Sequence, residues 1–379
     1  MHIAFCEAHY DSYSGAQQSM EPLISRSDFE KTTVIVPKRG KFSDNLCRGG
    51  SELIASGFDK DIHELQSEIR SGDIITRIRS GSRLLGYYRS AFSYFKESDI
   101  DLVYCNNLTS LWLYAIPAKL AGKPVVWFVR SDSDAYSELN KIGSYLADDI
   151  ILISKGVSSR FGAQSVSLLS DKFKVINTGI DISEFVNVES VEHDEGPINI
   201  THVGTIQPRK GQKTLVEAVD SVSDQLPDFR LRFAGSVSAG HEDYYKSLTE
   251  MIRQSSITDE VELLGYREDI PKVLGETDMV VLPSTSEGLP RAVLEASATG
   301  TPCITTRVGG AEEIITDGVD GFLVDVDDDD TLARRITELA TDSELRKRMG
   351  AKAQENVTER FTVKSYVENF EAFVKSKYE

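Results

Sequence analysis

The sequence predicts two α/β domains, each built on a doubly wound parallel sheet. Three observations carry this. Short apolar runs alternate with helical stretches along all 379 residues. Those runs are continuous rather than alternating in polarity, as strands covered on both faces are. The charge also divides: residues 1–190 carry 21 basic and 24 acidic side chains, while residues 191–379 carry 21 and 36. The length suits two or three domains of ordinary size.

In the first half, HIAFC, TTVIV, DLVYC, PVVWFV and DIILIS read as buried strands. SLWLYAIPAKLAG and SKGVSSRFG read as helical stretches between them. The second half repeats the scheme with INITHVG, FRLRFAG, VELLG, MVVLPS, PCITT and GFLVD. Between the halves, Val186–Pro197 is polar, acidic and closed by Gly-Pro, which marks a linker. Domains are therefore expected over residues 1–186 and 197–359. The stretch Thr341–Lys377 reads as helical, with Phe361, Tyr366, Phe370 and Phe373 as apolar anchors. Its end, about residues 360–379, is expected to pack back on the first domain.

Composition excludes several classes. Hydrophobic residues make up 40% and charged residues 27%, which is ordinary for a folded chain. No apolar stretch approaches the length of a transmembrane helix. The N-terminal MHIAFCEAHY reads as a first strand rather than an export signal, so a cytoplasmic location is expected. Cys6, Cys47, Cys105 and Cys303 are too scattered for a zinc site or a disulfide framework. A net charge of −18 argues against nucleic acid as a partner.

The most informative segment is PSTSEGLPRAVLEASATGTPCITTRVGGAEEII, residues 283–315. A strand ends at Pro283, and a loop carries Ser284, Ser286, Glu287 and Gly288. A helix is expected from about Pro290, since proline suits the first turn, to about Gly300. Glu287 then lies at the mouth of the helix and Glu295 within it. Two carboxylates so spaced suit sugar and ribose hydroxyls, and the amides of Gly288 and Leu289 suit a phosphate. The same residues would also serve as a capping acid and a solvent-facing glutamate. HVGTIQPRKG, residues 202–211, is a second strand–loop–helix turn, where Arg209 and Lys210 form a candidate diphosphate clamp. It is not a Walker A loop. SYSGAQQS, residues 12–19, follows the first strand, and Gly15 would allow close approach of a ligand.

Together these segments resemble the retaining glycosyltransferases of family 4, the glycosyl transferases group 1. Glu287 and Glu295 fit the family's E-x7-E spacing. VGTIQPRKG resembles its phosphate loop, VGGAEEII and DGVDGFLV its following segments, and GYREDIPKVLGETDMVVLPS its base-binding region. VINTGIDISEF resembles the segment before its interdomain linker, and SGAQQS its N-terminal glycine loop. The resemblance implies a GT-B fold, two Rossmann-like domains facing across a cleft. The first would receive the acceptor and the second the nucleotide-sugar donor. By this resemblance Glu295 would bind ribose, and Glu287 the transferred sugar. Gly288, Leu289 and Pro290 would meet the sugar or diphosphate. Lys210 and Arg209 would neutralise the leaving diphosphate, with Gly15, Gly204 and Thr205 alongside. Tyr266 and Arg267 would lie at the nucleobase.

Some positions depart from the family pattern. Thr205 stands where many members carry arginine, and Thr178 replaces an asparagine. Phe128 stands where relatives often have histidine; Arg130, His9 or Tyr10 would then serve the acceptor side. The implied reaction retains anomeric configuration and needs neither metal nor cofactor. Uridine is the expected base, and a glycan or lipid-linked molecule the expected acceptor, in surface polysaccharide or glycoconjugate synthesis. Asp132-Ser133-Asp134 has the spacing of a metal-binding DxD, but so short a pattern is common by chance in an acidic chain and no metal is expected there. Asp327–Asp330 reads as a helix N-cap.

Residues Arg70–Lys96 carry six basic side chains against Asp73 alone, interleaved with aromatics and aliphatics. Arg77, Arg79 and Arg83 on this helix are candidates for contact with an anionic membrane surface at its inner face, the alternative being a solvated basic face. A non-catalytic nucleotide-sugar scaffold and a nucleotide-sugar epimerase of the same fold remain alternatives.

Overall fold

The computed structural model describes residues 1–9, 15–40, 43, 52–55, 74–131, 137–186, 188 and 196–379. It divides into two compact units. Met1–Asn177 with Tyr366–Glu379 form the first, and Thr178–Ser365 the second.

In the first unit the described strands are β1 (His2–Cys6), β2 (Lys31–Val36), β3 (Glu52–Ala55), β4 (Leu102–Cys105), β5 (Val125–Val129), β6 (Asp149–Leu152) and β7 (Phe173–Val175). They form one sheet in the order β3-β2-β1-β4-β5-β6-β7, every pairing parallel. Every residue of β1, β4, β5 and β6 is buried, which is why these segments are apolar apart from His2 and Asp149 at the starts of β1 and β6. The order reverses between β1 and β4. Ligands of open α/β sheets bind beyond the strand ends at such a switch point.

The second unit holds β8 (Ile198–Val203), β9 (Phe229–Ala234), β10 (Val261–Gly265), β11 (Met279–Leu282), β12 (Cys303–Thr306) and β13 (Gly321–Val324). Their order is β10-β9-β8-β11-β12-β13, again all parallel. Its switch point lies between β8 and β11. The core beneath one face packs Leu215, Val219, Leu231, Phe233, Val281, Ile304, Ile336 and Met349.

Local sequence sets the helix ends. Asn107 caps the helix Leu108–Leu120 in a capping box: its Oδ1 accepts the Ser110 N–H at 2.8 Å, and Ser110 Oγ accepts the Asn107 N–H at 3.0 Å. Asp328 caps Asp329–Thr341 through the Thr331 N–H, and Asp342 caps Ser343–Arg360 through the Leu345 N–H. The acidic run at residues 327–330 is thus a helix start. SKGVSSRFG contains a 3-10 helix, Gly156–Phe161.

The first unit ends at Asn177, short of the boundary expected at Val186. The reason is a backbone clasp after it. The Ile180 N–H donates to the Phe361 carbonyl at 2.9 Å, and the Val363 N–H donates to the Ile180 carbonyl at 3.2 Å. A Cβ on Gly179 would lie 2.1 Å from the Thr362 oxygen, so only glycine allows this approach. Of the expected linker, residues 187 and 189–195 lie outside the described residues.

The final helix, Val363–Tyr378, carries Tyr366, Phe370 and Phe373 on one face, all buried. Phe370 lies 5.7 Å from the Tyr104 ring and 6.3 Å from that of Phe5, centroid to centroid. Burying such a side chain is worth about 1.5–3 kcal/mol, enough to hold residues 366–379 on the first unit.

The helix Ile74–Glu97 buries Ser80, Tyr87, Ala91 and Phe95 along one stripe and leaves Arg79, Arg83 and Arg89 exposed. The Arg77 side chain and residues 70–73 lie outside the described residues. Among the described residues no helix is long and apolar enough to cross a membrane.

Candidate active site

Two loops meet at the switch point of the second unit. The first leaves β8 at Gly204, makes a tight turn at Pro208–Lys210 and enters the helix Gln212–Val222 through Gly211. Gly211 has φ +71°, and a Cβ there would lie 2.0 Å from the Pro283 oxygen. Glycine therefore lets this turn rest directly on the second loop. That loop leaves β11 at Pro283 and reaches the helix Arg291–Ala298, capped at Pro290.

Hydrogen bonds lock the loops together. The Thr285 N–H donates to the Arg209 carbonyl at 2.9 Å, and Arg209 Nη1 donates to the Ser286 carbonyl at 3.0 Å. At the centre, Lys210 Nζ lies 2.6 Å from Glu287 Oε1, which also accepts from Ser284 Oγ at 2.7 Å. Arg209 Nη1 lies 3.6 Å from Glu287 Oε2. The Lys210 and Glu287 side chains are only 13% and 7% exposed, so this is a buried ion pair. Such a pair needs further hydrogen bonds to offset desolvation, and Ser284 supplies one. A third loop backs the second: the Gly310 N–H donates to the Gly288 carbonyl at 2.8 Å.

The sequence-predicted donor residues are thus partly gathered. Lys210, Arg209 and Glu287 are in mutual contact. Gly204 lies against the Lys210 chain: a Cβ there would sit 3.6 Å from Lys210 Cε. Thr205 is held by Gln207 Nε2 at its hydroxyl, 2.6 Å, and by Gln212 Nε2 at its carbonyl, 2.9 Å. Leu289 and Pro290 are buried. Glu295 is engaged with Arg291, 2.6 Å away one turn earlier, rather than with the Lys210–Glu287 pair. Burial pushes its carboxyl up, and Arg291 opposes the shift. Tyr266 projects from the end of β10, 71% exposed. Arg267 spends its fork on Asp269, at 2.7 and 2.6 Å.

In the first unit a polar cluster lies at the β1/β4 switch point. Glu7 is fully buried and accepts from Asn106 Nδ2 at 2.5 Å, Asn107 Nδ2 at 2.6 Å and the His9 N–H at 2.8 Å. His9 Nδ1 lies 3.3 Å from Glu7 Oε1. Burial pushes the Glu7 carboxyl up, but the hydrogen bonds from His9 and Asn106 outweigh it and hold it below the ordinary value. Arg130 stacks on Phe128 at 3.9 Å and donates to Asn106 Oδ1 at 2.7 Å, the Tyr104 hydroxyl at 2.9 Å and Ser19 Oγ at 2.5 Å. Its guanidinium is thus a brace for the cluster. Gly15 opens the helix Gly15–Ser25, and among the described residues no atom lies within 4 Å of a Cβ built there. Tyr10 and Asp132-Ser133-Asp134 lie outside the described residues. Among the described residues no group of three or more His, Cys, Asp or Glu is placed to hold a metal.

Glu7→Gln is expected to destabilise the fold by about 2–3 kcal/mol, since hydrogen bonds to a charged group are the stronger kind. A carboxyl held low in the folded state contributes stability that is complete above its ordinary pKa of 4.5. That contribution fades as pH falls through the folded value. Urea unfolding of both proteins should therefore differ most at neutral pH and converge in acid.

Sequence reasoning placed Ser284 on the loop without giving it a role, and passed over Glu7, Asn106, Asn107 and His202. Asn107 was visible as Asn-x-x-Ser before an apolar run, a capping signal. The buried polar partners gave no such pattern.

Two parallel α/β units, each with a loop cluster at its switch point, make up the GT-B architecture of glycosyltransferases. Residues 184–356 match the family model of the glycosyl transferases group 1. Over 277 residues it is 27% identical to UDP-Gal:alpha-D-GlcNAc-diphosphoundecaprenol alpha-1,3-galactosyltransferase of Escherichia coli, covering 68% of this chain and 70% of that protein. Its fold matches Anabaena HepE, crystallised with UDP, at a TM-score of 0.79 and 22% identity, covering 99% and 100% of the two chains. It also matches the lipopolysaccharide outer core galactosyltransferase WaaB at 0.77 and 19%, covering both chains fully, 100% and 100%. These matches support a glycosyltransferase enzyme class for the chain.

Proposed function

We propose that the chain is a retaining, metal-independent glycosyltransferase of family 4. It moves a sugar from a UDP-linked donor to a glycan or lipid-linked acceptor, in the assembly of surface polysaccharide or glycoconjugate. The observation that carries the reading is the buried Lys210–Glu287 pair at the carboxyl ends of β8 and β11. The name of the E. coli relative states a UDP-galactose donor and a diphosphoundecaprenol acceptor, and HepE was crystallised with UDP. Both support the donor class.

In this reading Lys210, with Arg209, receives the diphosphate and stabilises the charge that develops as it leaves. Glu287 hydrogen-bonds the transferred sugar, Glu295 the ribose, and the Gly288–Leu289 backbone the phosphates beside Gly204 and Thr205. Tyr266 and the Arg267 backbone serve the base. The acceptor hydroxyl attacks the anomeric carbon on the leaving-group face. As the sugar–oxygen bond of the diphosphate breaks, a donor phosphate oxygen takes the proton. Gly15, His9, Tyr10 and Arg130 serve on the first unit, Arg130 by bracing.

A thermal-shift panel of UDP-, GDP-, ADP- and dTDP-sugars tests the reading. A ligand at 100 times its dissociation constant stabilises by about 2.7 kcal/mol. UDP-sugars should raise the melting temperature of the wild type and not of Glu295→Ala. No shift with any donor would sink the assignment in favour of a scaffold.

The exposed Arg79 and Arg83, with Arg77, are proposed to touch an anionic membrane surface. Each such residue near a charged surface is worth about 1 kcal/mol. Replacing Arg79 and Arg83 by glutamine should weaken binding to phosphatidylglycerol vesicles at least tenfold, roughly that sum. Unchanged sedimentation with the vesicles would remove the proposal.

A further inference from the structure

We propose that His202 is a positioning residue for Lys210, holding the turn that carries the lysine by donating to the Lys210 carbonyl. The inference rests on the reading above, in which Lys210 receives the diphosphate.

His202 is fully buried near the carboxyl end of β8, its ring 5.8 Å from that of Phe233. Its Nε2 lies 3.0 Å from the Lys210 oxygen. A carbonyl only accepts, so Nε2 carries the proton. Nδ1 is then a bare lone pair, and it has no hydrogen-bond partner among the described residues. Burial lowers the imidazole to about 4, against the hydrogen bond to the Lys210 carbonyl that raises it, so the ring is neutral at working pH. A neutral donor here fixes the lysine without adding a second charge beside it.

The rest of the turn is satisfied by backbone. The Gln207 carbonyl accepts the Lys210 N–H at 3.0 Å, the Pro208 carbonyl the Gly211 N–H at 3.1 Å, and the Arg209 carbonyl the Thr285 N–H at 2.9 Å. The Lys210 carbonyl is taken by a side chain from inside the sheet. Losing that donor leaves a buried carbonyl to seek another partner, and the turn must shift to find one. Lys210 Nζ, 2.6 Å from Glu287, moves with it.

The test is calorimetric titration of UDP and of uridine into the full chain. The variants are His202→Phe, His202→Gln, Lys210→Ala and the double variant His202→Phe/Lys210→Ala. Phenylalanine keeps the ring and removes the donor; glutamine restores an N–H. His202→Phe should weaken UDP about tenfold, the scale of one hydrogen bond to a buried group, and leave uridine unchanged. His202→Gln should recover most of that loss. In the Lys210→Ala background His202→Phe should add nothing, because the two act as one unit.

Equal losses for UDP and uridine, no rescue by glutamine, or an additive loss in the double variant would each overturn the proposal and leave His202 as packing. If Lys210→Ala alone binds UDP as the wild type does, the diphosphate reading itself fails. Should His202→Phe not fold, His202→Leu takes its place, judged by the same rescue and additivity.

Discussion

Lys210→Ala is expected to lower donor turnover by about 100- to 1,000-fold, the usual effect of removing one charge-stabilising group from an active site. It is also expected to destabilise the fold. Removing one partner of a buried ion pair typically costs about 3–5 kcal/mol, because the other charge is left uncompensated. Here Ser284 still donates to Glu287 and Arg209 stays 3.6 Å away, so the lower end, about 3 kcal/mol, applies. The two effects separate in Lys210→Ala/Glu287→Gln. Neutralising Glu287 should return most of the lost stability in urea unfolding and none of the turnover, measured as UDP release. Recovery of activity along with stability would mean that the lysine only holds the fold.

The second large effect is expected from Gly309→Ala. Its φ is +55°, and a Cβ would lie 1.9 Å from the Glu287 oxygen and 2.7 Å from that of Gly288. The left-handed backbone alone costs an alanine about 1–2 kcal/mol. The backbone collision brings the total to about 3 kcal/mol or more, the range of strain at special positions. The loop that must yield carries Glu287, so donor affinity should fall too. Gly318→Ala is the internal comparison. Its φ is +75°, but nothing lies within 4 Å of a Cβ there. It should show only the conformational cost and unchanged donor binding. Equal melting shifts for the two variants would remove the collision from the account.

Much of this was legible in the sequence because the physics is local. Strands buried on both faces are predominantly apolar, so HIAFC, MVVLP and PCITT announced themselves. The turn at Arg209–Lys210 was marked by its glycine and by cations in an acidic half. The helix from Arg291 was marked by Pro290 before it and Gly300 after it. What stayed hidden depends on partners distant in the chain. Ser284 and Glu287 are close in sequence, but Lys210 joins them across 77 positions. Glu7 meets Asn106 and Asn107 across a similar gap, and nothing in EAHY signals a buried carboxylate. His202 looked like one polar residue in an apolar strand. The first unit ends at Asn177 rather than at the expected Val186, where Gly179 and Ile180 are fixed by Phe361–Val363, a pairing that composition does not reveal. Arg130, a candidate for the acceptor side, donates to Asn106, Tyr104 and Ser19, partners that no local pattern around it announces.

The most direct test of the central claim is the 31P spectrum of UDP titrated with the full chain. The account predicts that the β-phosphate resonance shifts and broadens with the wild type. With Lys210→Ala it should stay near its free position, while the uracil protons still receive saturation transfer from the protein. A β-phosphate that responds equally to both proteins would contradict the account, because the buried lysine at the β8/β11 switch point would then not be where the diphosphate binds.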